Sequence, residues 1–170
     1  MQNTERYVIL FPITMIIVDN EFLPQALALI ESAKKSIDIS TFKAEITSKP
    51  RGRHLSVLFD KLYEKKSQGL RVRFLINSHD DRRVMPKTNL CAINNLKNHK
   101  VEVRALSHNR CCHAKILIVD TDKAIVGSHN LSVKSCHNNF EVSCIIVDPV
   151  LVCYLQALYD RVFLNAVVPT

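Results

Sequence analysis

Cys112 to Glu141 reads CHAKILIVDTDKAIVGSHNLSVKSCHNNFE. Ile116, Leu117, Ile118 and Val119 form an apolar, β-branched run, which predicts a strand. Asp120-Thr121-Asp122-Lys123 supplies turn residues, and Ala124-Ile125-Val126 the returning strand. Side chains alternate across a strand, so His113 and Lys115 project to one face, about 6.6 Å apart along it. Cys112 projects to the other. Gly127 ends the second strand with backbone freedom, and Ser128, His129 and Asn130 follow on a loop. The hairpin returns Ser128 and Asn130 to the side of His113 and Lys115.

That arrangement gathers an imidazole, an ammonium, a hydroxyl and an amide. Lys, Ser and Asn donate hydrogen bonds, and His attacks or transfers a proton. The residues alone leave two readings open: a phosphate cradle holding a nucleophile, or a core strand with polar residues at its end. A Lys inside an apolar run needs a partner, because an unpaired buried charge is costly.

The stretch resembles the signature of the phospholipase D superfamily, H-x-K, four residues, D, then six residues and G-S/G-x-N. His113, Lys115, Asp120, Gly127, Ser128 and Asn130 stand in that register. The resemblance implies a phospholipase D-like α/β/α sandwich and a phosphodiesterase of the endonuclease type. It implies His113 as nucleophile, through a phosphohistidine intermediate, with Lys115, Ser128 and Asn130 holding phosphoryl oxygens. Asp120 completes the signature, but a step of five residues from Lys115 turns it to the other face, which suits a structural role. Glu141 stands where the family often carries an acidic residue. Long members carry the signature twice and this chain once, so the resemblance implies a homodimer whose two motifs meet at a twofold axis. Two copies of His113 would then serve as nucleophile and general acid, with Glu141 orienting an imidazole. His108 and His129 are the fallback source of a second His within the chain.

Composition bounds the partners. A length of 170 residues, an apolar fraction of 47% and three glycines predict one domain, 1–170, with a real core. The net charge of +7 points to a polyanion, with nucleic acid ahead of a membrane surface. Lys49, Arg51, Arg53, Arg82, Arg83, Lys87, His108 and Arg110 flank predicted strand ends, and His108 and Arg110 stand closest to the signature. The six cysteines show no C-x-x-C spacing, so a zinc site is not expected. The cradle already supplies positive charge and donors, so no metal is expected for the chemistry, and no other cofactor is expected. Free thiols fit a reducing cytoplasm. Val8 to Val18 is too short to span a bilayer, and Asp80-Asp81 reads as a solvated loop. A phospholipid hydrolase or phosphatidyl transferase is the alternative, and an inactive nucleic-acid module a third.

Strands and helices alternate along the chain, giving an α/β class with a mixed β-sheet and helices on both faces. Strands are predicted at Tyr7 to Phe11, Met15 to Val18, Ser36 to Phe42, Leu70 to Asn77, Val101 to Leu106 and Phe140 to Val147. Helices are predicted over Glu21 to Lys35 with Asn20 as cap, Leu55 to Gln68, Asn89 to Asn98, and Pro149 to Leu164.

Overall fold

A computed structural model describes residues 13–46, 52–77, 87–106 and 110–169, with the side chains of residues 13, 14 and 87 outside the description. The elements run β1 (Ile13–Val18), a 3-10 turn (Asp19–Glu21), α1 (Phe22–Ser32), β2 (Ser36–Thr41), α2 (Arg53–Ser67), β3 (Arg71–Ile76), α3 (Lys87–Asn98), β4 (Glu102–Ala105), β5 (Lys115–Val119), β6 (Lys123–Gly127), α4 (Val133–His137), β7 (Val142–Ile146) and α5 (Pro149–Leu164). One seven-stranded mixed sheet has the order β1-β7-β6-β5-β2-β3-β4. β2, β3 and β4 are parallel, because helical crossovers join them. β5, β6 and β7 form an antiparallel meander that closes on β1, and β5 meets β2 antiparallel. The α/β class with a mixed sheet, read from the alternation, is the fold observed.

The alternation of side chains sorts the core into two layers. Val72, Phe74 and Ile76 of β3, with Leu117 and Val119 of β5, pack under α1, α2 and α3. Leu75, Ile118 and Ala124 face the opposite way, under α5. α5 is fastened by charge as well as by burial. Asp38, fully buried on β2, takes both forks of the Arg73 guanidinium at 2.6 and 2.9 Å and the Gln156 amide of α5 at 2.8 Å.

The predicted hairpin forms, with Lys115 opposite Gly127 and Val119 opposite Lys123. Asp120 and Thr121 turn it with φ of 56° and 57°, the left-handed pair of a type I′ turn. A β-branched residue is strained there, and the Asp120 carboxylate holds the turn in place. It accepts the backbone N–H groups of Lys34, Lys35 and Ser36 at 2.7–2.8 Å. Burial works to raise its pKa, but those three donors outweigh it and hold the carboxyl below its ordinary range. The same contacts end α1 at Ser32, short of the predicted Lys35.

Three further expectations change. Asn20 does not cap α1; the 3-10 turn precedes it, and the cap position is Glu21, with no side-chain cap bond. Gly127 is required for space, not for backbone freedom: a Cβ there would lie 2.0 Å from Ser143 Oγ and 2.4 Å from its Cα. The last strand starts at Val142 and leaves Phe140 82% exposed, and the short α4 was not anticipated. Gly69, with φ of 92°, follows α2 and lets the chain leave the helix. Tyr7 to Phe11, and the loop with Asp80 and Asp81, lie outside the described residues. Among those described, no helix is long and apolar enough to cross a membrane.

Candidate active site

The residue preceding β5 by two and its first residue meet as the alternation predicts. Lys115 Nζ stands 3.0 Å from Nδ1 and 3.2 Å from Nε2 of His113, and donates to the His113 carbonyl at 2.6 Å. His113 is exposed and Lys115 is 9% exposed. Phe42, at the end of β2, packs against both, with its ring 5.2 Å from the imidazole and 5.8 Å from the ammonium. Among the described residues no carboxylate stands within ion-pair distance of Lys115. Burial pushes its pKa down, opposed by the charge of Glu141. An anion beside this ammonium would favour its charged form.

The loop after β6 is organised by Glu141. Its carboxylate accepts a short hydrogen bond from Ser128 Oγ, one from Ser135 Oγ at 2.9 Å and one from the Asn139 amide at 2.8 Å. Burial works to raise the Glu141 pKa, but these donors, Ser128 first, hold it below the ordinary range. Within one chain the donors on its oxygens are two hydroxyls and an amide, and no imidazole of the described residues is among them. Ser128 Oγ in turn accepts the Val142 N–H at 3.1 Å. Asn130 Oδ1 accepts the Lys43 N–H at 3.1 Å and the Thr41 hydroxyl at 3.4 Å, so its amide NH2 is the group left to donate to a ligand.

Sequence position placed the other candidates less well. Asp120 sits at the opposite end of β5 from Lys115, with its carboxylate spent on the backbone of residues 34–36. It supports the fold and does not touch the gathered groups. His129 is 2% exposed, and both ring nitrogens are engaged, Nδ1 by the Ser143 hydroxyl at 2.7 Å and Nε2 by the Asp19 carbonyl at 3.0 Å. It stacks on Phe22 with centroids 4.5 Å apart, so it is no candidate for a second reacting His. Arg110 is exposed and Arg53 lies exposed at the start of α2. Lys49, Arg51, Arg82, Arg83 and His108, and the side chain of Lys87, lie outside the described residues.

Phe42, Ser135 and Asn139 were missed, because none occupies a signature position. A cavity of about 330 Å3 was missed as well. It lies between α5 and the sheet, is lined by Leu75, Leu106, Ile116, Leu155, Leu158 and Val162, and reaches His113 and Arg110. Its size is at the lower end of small-molecule clefts, about 300–1,000 Å3. Its apolar wall combines the sheet with α5, two elements far apart in sequence. Among the described residues no group of three or more His, Cys, Asp and Glu is placed to hold a metal ion.

The comparisons with known proteins agree on the fold. A family model described as "Cardiolipin synthase, PLD-like domain" matches residues 26–163. Cardiolipin synthase 2 of Bacillus cereus is 31% identical over 121 residues, which take in 71% of this chain but only 22% of that protein. The phospholipase D family member Nuc from Salmonella typhimurium superposes with a TM-score of 0.73 at 21% identity, covering 89% of this chain and 95% of the other. NucT from Helicobacter pylori gives a TM-score of 0.69 at 17% identity, covering 90% and 96%.

Proposed function

This chain belongs to the phospholipase D-like family matched over residues 26–163, and on that premise we propose that it is a metal-independent phosphodiesterase that cleaves nucleic acid. The observation that carries the reading is the pair His113 and Lys115: an exposed imidazole held against a buried ammonium that no carboxylate pairs among the described residues. The +7 net charge and the exposed Arg110 supply attraction for a phosphate backbone.

In this reading a ring nitrogen of His113 attacks phosphorus, and the P–O bond to the leaving alcohol breaks. Lys115 and the Asn130 amide neutralise the charge that builds on the non-bridging oxygens. Water then attacks the phosphohistidine, releasing the phosphomonoester and the free imidazole. The leaving oxygen needs a proton in the first step. One imidazole cannot act on both sides of the phosphorus, so a second copy of the chain supplies His113 as general acid across a twofold axis. The homodimer is part of the proposal.

A phosphatidyl substrate is the second reading, and one observation favours it. The apolar cavity reaches His113, which a lipid phosphodiester would use and a nucleic acid would not. The match to cardiolipin synthase 2 points the same way, although it spans about a fifth of that relative.

Incubation with labelled DNA, labelled RNA and phospholipid vesicles, each in EDTA, separates the readings. The expected result is nucleic-acid cleavage that persists in EDTA and weakens as salt rises. Cleavage of vesicles alone would transfer the assignment to lipid. Activity lost in EDTA and restored by magnesium or zinc would contradict the metal-independent mechanism.

A further inference from the structure

Asp19 lies 122 residues from Glu141 in sequence and outside the signature, yet three of its polar groups bond to the loops that carry the site. Its N–H donates to the Glu141 carbonyl at 3.0 Å, and its Oδ1 accepts the Glu141 N–H at 2.8 Å. Its own carbonyl accepts the ring N–H of His129 at 3.0 Å. These contacts need a bent backbone, and Asp19 has φ of 49°. A non-glycine residue enters that region at a cost and persists there only when its surroundings hold it; Asp and Asn tolerate it best. His129 is locked in turn by the Ser143 hydroxyl at 2.7 Å and by the Phe22 ring.

We infer that Asp19 is a positioning residue for the active site: it clamps the backbone of Glu141, and Glu141 sets the hydroxyl of Ser128. A chain of contacts supports this. The two Asp19–Glu141 bonds fix where β7 begins, the Glu141 carboxylate receives Ser128 Oγ, and Ser135 links the same carboxylate to the Asn130 N–H at 2.8 Å. A shift of the Glu141 backbone would displace Ser128 and, through Ser135, Asn130, whose amide is proposed to meet the phosphoryl group, and displacements of about 1 Å in such groups cost about 100-fold in rate. The inference rests on Asn130, with Ser128 beside it, belonging to the site proposed above.

Substitution separates the backbone bend from the acceptor. Asp19→Gly keeps the bend and removes Oδ1; Asp19→Asn keeps both. On a chromogenic phosphodiester, Asp19→Gly is expected to lower kcat by about 100-fold with a smaller change in KM, while Asp19→Asn stays within a few-fold of wild type. Ser143→Ala loosens His129 from the other side and avoids the risk that the glycine variant does not fold; its kcat should fall in the same direction by a smaller factor. Carboxyl NMR gives a readout that a purely structural role would not move. The titratable and charged groups around Glu141 are Lys115, His129, Asp19 and Cys136. Glu141 should titrate below the ordinary glutamate range in the wild type, rise towards it in Asp19→Gly and Ser143→Ala, and stay low in Asp19→Asn. Equal kcat in all variants, or a Glu141 titration that none of them moves, would overturn the inference. If the wild type cleaves no phosphodiester, the reading of the site fails, and Asp19 is judged on the Glu141 titration alone.

Discussion

His113→Ala is expected to lower turnover by at least about 10³-fold while the protein stays folded. The imidazole is the group in the gathered set able to attack phosphorus. Its ring is exposed, and the contacts it would lose are those to Lys115 and Phe42. Binding of nucleic acid should persist, because the ammonium and the loop cations remain. Thermal unfolding and a binding isotherm on the same sample establish both points. The variant also tests the shared site. Equal amounts of wild-type and His113→Ala subunits, allowed to exchange, should retain roughly a quarter of the full activity, since a mixed pair lacks either the nucleophile or the acid. Retention in proportion to wild-type subunits would mean that each chain works alone. Residual activity above a tenth in a folded His113→Ala protein would remove this residue from the nucleophile's role.

The largest effect on stability is expected at Asp38. This carboxylate is fully buried, and it is the counter-charge for a guanidinium that is itself buried between the sheet and the Tyr159 and Phe163 rings, 5.2 and 4.9 Å from their centroids. Arg71 adds a bond at 3.1 Å and Gln156 one at 2.8 Å. Removing Asp38 leaves the buried guanidinium with only the partly exposed Asp160 carboxylate as counter-charge, which costs about 3 kcal/mol, the lower end for a broken buried pair. For a chain of this length that corresponds to a fall in Tm of roughly 10 °C. Asp38→Ala followed by thermal or urea unfolding measures it. Asp160→Ala should cost less, because that carboxylate is 39% exposed and Asp38 still pairs the arginine. Equal losses at the two positions would show that the cluster is not centred on Asp38. α5 forms one wall of the cavity beside His113, so the Asp38 variant should also loosen that wall.

Much of this architecture was legible from local patterns. The β5–β6 hairpin announced itself through β-branched runs on either side of a turn, and α5 was read over Pro149 to Leu164, the span it has; the Asp148 side chain, which accepts the Leu151 N–H, caps it. The meeting of His113 and Lys115 follows from the period of a strand. What escaped the sequence depends on elements brought together from afar. Gly127 reads as a flexible strand end, but its need for a hydrogen in place of a side chain arises from Ser143 on the neighbouring strand. The donors that Glu141 meets within the chain, Ser135 from a helix too short to show a period and Asn139 just past it, give no signal of their own. Asp19 carries no signal in its own neighbourhood, since each of its site contacts is more than 100 residues away. The cavity at His113 needs the packing of α5 on the sheet before it exists at all.

The central claim is that His113 becomes covalently bound to phosphorus, and the most direct test is to catch that state. A phosphodiester labelled at phosphorus is mixed with enzyme, quenched within a single turnover, and the protein digested and mapped by mass spectrometry. The account predicts label on the peptide containing His113, stable in alkali and lost in acid, and none with His113→Ala. Product formation at full rate with no label on the protein, or with label on another residue, would contradict it.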